Sequence, residues 1–161
     1  MRLSGGRSRV RRIGSVFGVA AVVLAVAPIA AIAAAGGTVF GGATAQDLPV
    51  VIETSKNGRT VTKATVAIRL TCTSGGIVTL GDEYRKLTVN KKRKFGVTFG
   101  PSTERNDDGT MTDFEGSISG AFTKARSSAS GTWAFKVSVH DAAGAVTDTC
   151  DSGSVAWKAK Q

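Results

Sequence analysis

Two cysteines, one histidine, a run of four cations and several loose groups of carboxylates are the residues here whose types and spacing could do chemistry. Cys72 and Cys150 are the only cysteines. In an oxidising compartment an even count reads as a disulfide, and two residues allow one intramolecular pairing. Two free thiols are the lesser alternative. His140, the single histidine, precedes Asp141, and a catalytic or metal role would need partners. A histidine-based zinc site takes further His or Cys ligands, and the two cysteines are better spent on each other. A surface histidine at a strand end is the preferred reading.

Gly116-Ser117-Ile118-Ser119-Gly120 comes close to a serine-hydrolase elbow, but its central residue is isoleucine. The elbow also needs a strand-to-helix turn, and this segment reads as continuous strand. Asp107, Asp108 and Asp113, or Asp141, Asp148 and Asp151, offer oxygen ligands for calcium without the spacing of an EF-hand loop. Local hydrogen bonding at turns accounts for such carboxylates equally well. Nothing in the sequence brings two acids together across a groove for glycoside hydrolysis. With no nucleophile motif, phosphate loop or metal set, the expectation is a non-catalytic protein with no cofactor and no metal.

Lys91-Lys92-Arg93-Lys94 is the densest charge cluster and falls between Val89 and Phe95, where a hairpin turn is expected. A solvated turn whose charges oppose edge-to-edge aggregation is the plain reading. The functional one is a docking patch for an anionic envelope polymer or acidic polysaccharide, which Tyr84-Arg85 would widen.

What these residues can do depends on where the chain resides. Arg2, Arg7, Arg9, Arg11 and Arg12 precede an uncharged stretch from Ile13 to Ala35. This is the order of a secretory signal, with an n-region at 1–12 and an apolar segment at 13–35. Ala43-Thr44-Ala45 fits the small-x-small rule, so cleavage after Ala45 is favoured and a cut near Ala33-Ala34-Ala35 is second. An uncleaved N-terminal membrane anchor is the alternative, because the apolar stretch is long enough to span a bilayer. Either way the rest of the chain is expected outside, in the extracellular space or at the cell envelope. The full chain carries a net +9, but five of its 21 basic residues and none of its 12 acidic ones lie in the leader. The remainder carries +4, which calls for no nucleic-acid partner.

The elements that would position these residues have a period of two. Ala64, Val66, Ile68, Leu70 and Cys72 alternate with more polar neighbours, as do Phe95, Val97 and Phe99. Phe114 to Phe122 and Trp133 to Val139 continue the pattern, and Val155, Trp157 and Ala159 end it. Ser74-Gly75-Gly76, Gly100-Pro101, Asn106-Asp107-Asp108-Gly109 and Asp141-Ala142-Ala143-Gly144 punctuate the strands. Ile77–Leu80 and Leu87–Asn90 read as separate strands. The expectation is an all-β fold: a single antiparallel meander of about eight strands, preceded by a signal helix. A β-sandwich is preferred to a small closed barrel. Residues 46–59 are taken as an approach segment and 60–161 as the β domain.

Phe114-Glu115-Gly116-Ser117-Ile118-Ser119-Gly120-Ala121-Phe122, Gly131-Thr132-Trp133, Asp148-Thr149-Cys150-Asp151-Ser152-Gly153 and Val155-Ala156-Trp157-Lys158-Ala159 occur in that order. The C-terminal third thereby resembles a loose group of uncharacterised secreted β-proteins of high-GC, actinobacterial-type bacteria. The resemblance implies export and a β fold and transfers no site residue. The functional expectation is a secreted, non-catalytic binding or structural module at the cell envelope. A barrel-type carrier of a small apolar ligand, held between Phe95, Phe114, Trp133 and Trp157, is the alternative. A secreted hydrolase built on His140 is a third.

Overall fold

The computed structural model describes residues 37–161; the expected n-region, apolar segment and signal helix lie outside the described residues. Alternating apolar rows and short turns give nine strands in chain order. These are β1 (Val39–Thr44), β2 (Pro49–Thr54), β3 (Thr60–Cys72), β4 (Ile77–Thr88), β5 (Lys94–Arg105), β6 (Met111–Phe122), β7 (Ser128–His140), β8 (Val146–Asp151) and β9 (Val155–Lys160). Every pairing is antiparallel.

Two long strands organise the rest. β3 pairs with β4 along one edge, while its other edge meets β2 near its start and β8 at its end. β7 does the same with β6 on one edge, and with β9 then β8 on the other. Since β1 joins β2 to β9, hydrogen bonding runs in a closed six-strand ring, β1–β2–β3–β8–β7–β9. The preferred sandwich is thereby corrected to a closed barrel. The cause is non-local: Cys72 and Cys150 stand opposite each other where β3 meets β8, and they form the expected disulfide. Alternation along a strand says which face is buried, but not that one edge serves two partners in succession.

The domain boundary also moves. β1 and β2 are ring strands, so the β domain includes Val39–Thr54 and does not begin at Thr60. Phe40, on β1, is 2% exposed and packs 5.2 Å, centroid to centroid, from Phe122. The segment Val39–Thr44 escaped notice because its glycines and alanine give it one bulky inward side chain.

β4 is one strand where two were expected. Lys86 has a φ of 58°, and around it the inward row changes from Tyr84 to Leu87, breaking strict alternation. On β3 the matching break separates Val61 from Ala64. Gly100-Pro101 does not stop β5 either: the pairing with β6 slips between Phe99 and Ser102 and then resumes to Arg105. Such an irregularity bends a strand without ending it.

The inner faces of β4, β5 and β6 join the ring in one core, with Trp133 and Trp157 among its largest side chains. Gly120 makes room for this packing. A Cβ there would come within 2.6 Å of the rings of both Phe95 and Trp157, so its lack of a side chain is a steric necessity. Phe95 in turn stacks on Phe122 and Trp157. That half of the interior is filled.

Candidate functional site

Antiparallel pairing sends the β2–β3, β4–β5 and β6–β7 loops to one end of the barrel, together with the last residues of β9. The three loops are joined to one another. Val89 N–H donates to the Arg59 carbonyl, Phe122 N–H donates to the Arg93 carbonyl, and Arg126 Nη1 donates to the Gly58 carbonyl at 2.7 Å. The sequence singled out Lys91, Lys92, Arg93 and Lys94; the fold adds Lys56, Arg59, Lys124, Arg126 and Lys160. Residues 55–59, 89–94, 123–127 and 160–161 contain nine cationic side chains and no Asp or Glu.

These cations have different duties. Arg93 Nε donates to the Phe122 carbonyl, and Arg126 is tied to Gly58, so both brace the loops. Lys56, Arg59, Lys91, Lys92, Lys94, Lys124 and Lys160 are exposed. Asn90 shapes the expected turn by accepting from the N–H groups of Lys92 and Lys94. Between the loops lies a cavity of about 200 Å³, lined by Phe40, Phe122, Lys56, Asn57 and Arg126 among others. Lysines held apart on a rigid frame, with no acidic side chain among them, produce a positive field at this end. Tyr84 does not widen the patch: it is buried, and its hydroxyl accepts from Trp133 Nε1 at 3.0 Å. Burial, together with the Asp82 carboxylate beside it, pushes the Tyr84 phenol up from its ordinary value.

The opposite end carries the other sign. Glu104, Asp107, Asp108, Asp113, Asp141 and Asp148 lie in or beside the loops there, as does Arg105. Several of these carboxylates serve local structure. Asp108 accepts from the Thr110 N–H and hydroxyl, and Asp141 accepts from the N–H groups of Ala143 and Ala145. Asp148 accepts from both hydroxyls of the Thr73-Ser74 turn and from the Ser74 N–H. Its row, shared with Val146 and Cys150, is accommodated by a register shift opposite Val139 and His140. The closest group of potential metal ligands among the described residues is Cys72, Asp148 and Cys150. Both sulfurs are spent in the disulfide, so this is no thiolate site.

The hydroxyls of Thr73 and then Ser74 hold the Asp148 carboxyl at about 2, below its ordinary 3.8. A carboxyl depressed in the folded state stabilises the fold above its unfolded value, and that contribution is lost as pH falls through the folded one. Asp148→Asn is therefore expected to flatten the acid limb of the stability curve between about pH 4 and pH 2. Thermal melts across that range check it. An acid limb identical to that of the parent chain would show that the carboxylate does not contribute.

His140 Nε2 lies 2.9 Å from Asp113 Oδ2, and its Nδ1 faces the Gly144 carbonyl at 3.2 Å. Thr103 donates to the other Asp113 oxygen, and this bond, with the charge of His140, keeps the Asp113 carboxyl below its usual range. Both ring nitrogens are thus partnered within the fold. Ile118 of the elbow-like segment is buried in the core at 1% exposure.

No protein-family model, no curated protein and no solved structure matches this chain.

Sequence reasoning missed two features. The full basic end was encoded in Lys56-Asn57-Gly58-Arg59 and Lys124-Ala125-Arg126, each a loop without acids. A cleft of about 350 Å³ lies on the other half of the molecule. It opens between β4 and β5, the two ends of the strand order, which are not paired with each other.

Proposed function

We propose that the chain is exported, loses its leader after Ala35, and works at the cell envelope as a non-catalytic module that docks its basic end on an anionic polymer. The observation that carries this reading is the gathering of nine cations and no acid from loops distant in sequence onto one rigid end. A solvated turn alone would explain Lys91–Lys94, but not cations converging from the neighbouring loops as well. The disulfide fits an oxidising compartment. Cleavage after Ala35 is preferred over Ala45 because the later cut would discard β1 and Phe40.

An acidic polysaccharide or a phosphate-bearing wall polymer supplies the complementary charge. Binding of this kind falls steeply with ionic strength, because exposed charges are screened within about 8 Å at physiological salt. Retention on immobilised anionic wall polymer is expected at low salt, with elution on raising it. The triple variant Lys91→Gln, Lys92→Gln, Lys94→Gln is expected to elute earlier with its melting temperature unchanged. Those lysines are exposed and carry no ion pair among the described residues. Equal retention of the variant, or retention that ignores salt, would remove the docking proposal.

A further inference from the structure

The cleft between β4 and β5 has the makings of a second site, remote from the basic loops. Its floor is Trp133 and Phe135, and its walls are Leu80 from β4, Phe99 from β5 and Phe114 from β6. The rings touch one another: Phe99 and Phe114 stand 5.7 and 6.3 Å from Phe135, and Trp133 stands 6.1 Å from it. Leu80, Phe99 and Phe114 are only partly buried, so this apolar surface is open to a ligand. By contrast, the Phe95–Trp157 side of the interior is closed by packing.

Two carboxylates line the same cleft, Asp82 on β4 and Glu104 on β5. Neither is in an ion pair among the described residues. The lining contains no lysine or arginine. Asp82 is also anchored: it accepts from the Glu83 N–H and sits beside the Tyr84 hydroxyl, which in turn receives the Trp133 indole N–H. The Tyr84 hydroxyl, beside Asp82, thus holds the Trp133 indole in place on one side of the cleft.

From this arrangement we infer that the cleft binds a small organic cation with an apolar body, such as an aryl- or alkylammonium. The faces of aromatic rings attract cations, an attraction that strengthens out of water. Two unpaired carboxylates add charge complementarity, and an anionic or neutral ligand would leave them uncompensated. The volume falls in the range that takes a small ligand. Its place on the acidic half of the barrel favours the same sign of ligand.

The probe is phenyltrimethylammonium, with benzenesulfonate as the ligand of opposite charge and similar ring. Indole N–H resonances of the isotopically labelled chain report the site, because Trp133 floors the cleft while Trp157 packs against Phe95 and Gly120. The cation is expected to shift the Trp133 signal saturably and leave Trp157 in place; benzenesulfonate is expected to shift neither. The double variant Asp82→Asn, Glu104→Gln is expected to weaken the cation about tenfold or more through lost charge attraction, while Lys91→Gln, Lys92→Gln, Lys94→Gln leaves it unchanged. A thermal melt and the unperturbed Trp157 signal verify that the double variant is folded; should it not fold, Glu104→Gln alone serves, with a smaller loss expected. An unmoved Trp133 signal, equal response to the sulfonate, or undiminished binding by the carboxylate variant would overturn the assignment. None of these outcomes bears on the basic end, so the two sites stand or fall separately.

Discussion

Replacing Cys72 and Cys150 together by alanine is expected to lower the free energy of unfolding by about 2–5 kcal/mol. The bond closes a loop spanning 78 positions, for which the chain-entropy relation gives roughly 4–5 kcal/mol at room temperature. Its placement adds to this. β3 and β8 meet at only two register pairs, Thr71 with Asp151 and Cys72 with Cys150. That is the thinnest seam in the ring, and the covalent link holds it. Single domains retain about 5–15 kcal/mol in total, so the loss is a large share. Alanine is the informative replacement, since serine would add a buried hydroxyl at positions only 7% exposed. Denaturant titration of the oxidised parent and the double variant measures the difference. Coincident midpoints would mean that the ring closes without help from the sulfurs.

A chain beginning at Gln46 is expected not to fold, whereas one beginning at Gly36 folds as the parent does. The shorter chain lacks β1, which supplies backbone partners to β2 on one side and β9 on the other. It also lacks Phe40; truncating a buried phenylalanine to alanine alone costs about 3–5 kcal/mol. Without β1 the ring is open, and the facing edges of β2 and β9 present unpaired N–H and C=O groups. Comparing dispersed amide spectra of the two chains is decisive. On the proposed export, mass spectrometry of the mature chain is expected to find Gly36 as its first residue. A well-dispersed spectrum from the shorter chain would show that β1 is dispensable and restore Ala45 as the processing point.

How much of this was legible beforehand depended on whether the signal was local. The rows Ala64–Cys72, Phe114–Phe122 and Trp133–Val139 were readable, because burial of one strand face imprints a period of two on neighbouring residues. The cysteine pair was readable by count. Val39–Thr44 was not: its alanine and glycines suit a cleavage site as well as a strand, and only Phe40 marks an inward position. The stretch from Gly81 to Lys86 looked like a break between two strands although β4 runs through it, because an edge facing a cleft can carry polar residues inward. The closed ring had no local signature, since it depends on which edges meet across more than a hundred residues. The basic end shows the same limit: Lys91–Lys94 stands out in sequence, while Lys56, Arg59, Lys124 and Arg126 become its companions only once strand directions are known.

The pairing of β1 with β9, at Gly41 and Lys160, carries a consequence for how the molecule is made. β1 is the first strand of the ring along the chain and β9 the last. The hairpins β3–β4, β5–β6 and β6–β7 join neighbours in sequence and can form early. The ring itself has to wait for the final strand, and until then the outer edge of β1 is available to any other incomplete copy nearby. A chain whose β9 fails to dock is therefore expected to be, not a slightly smaller barrel, but a gapped one with an adhesive flank.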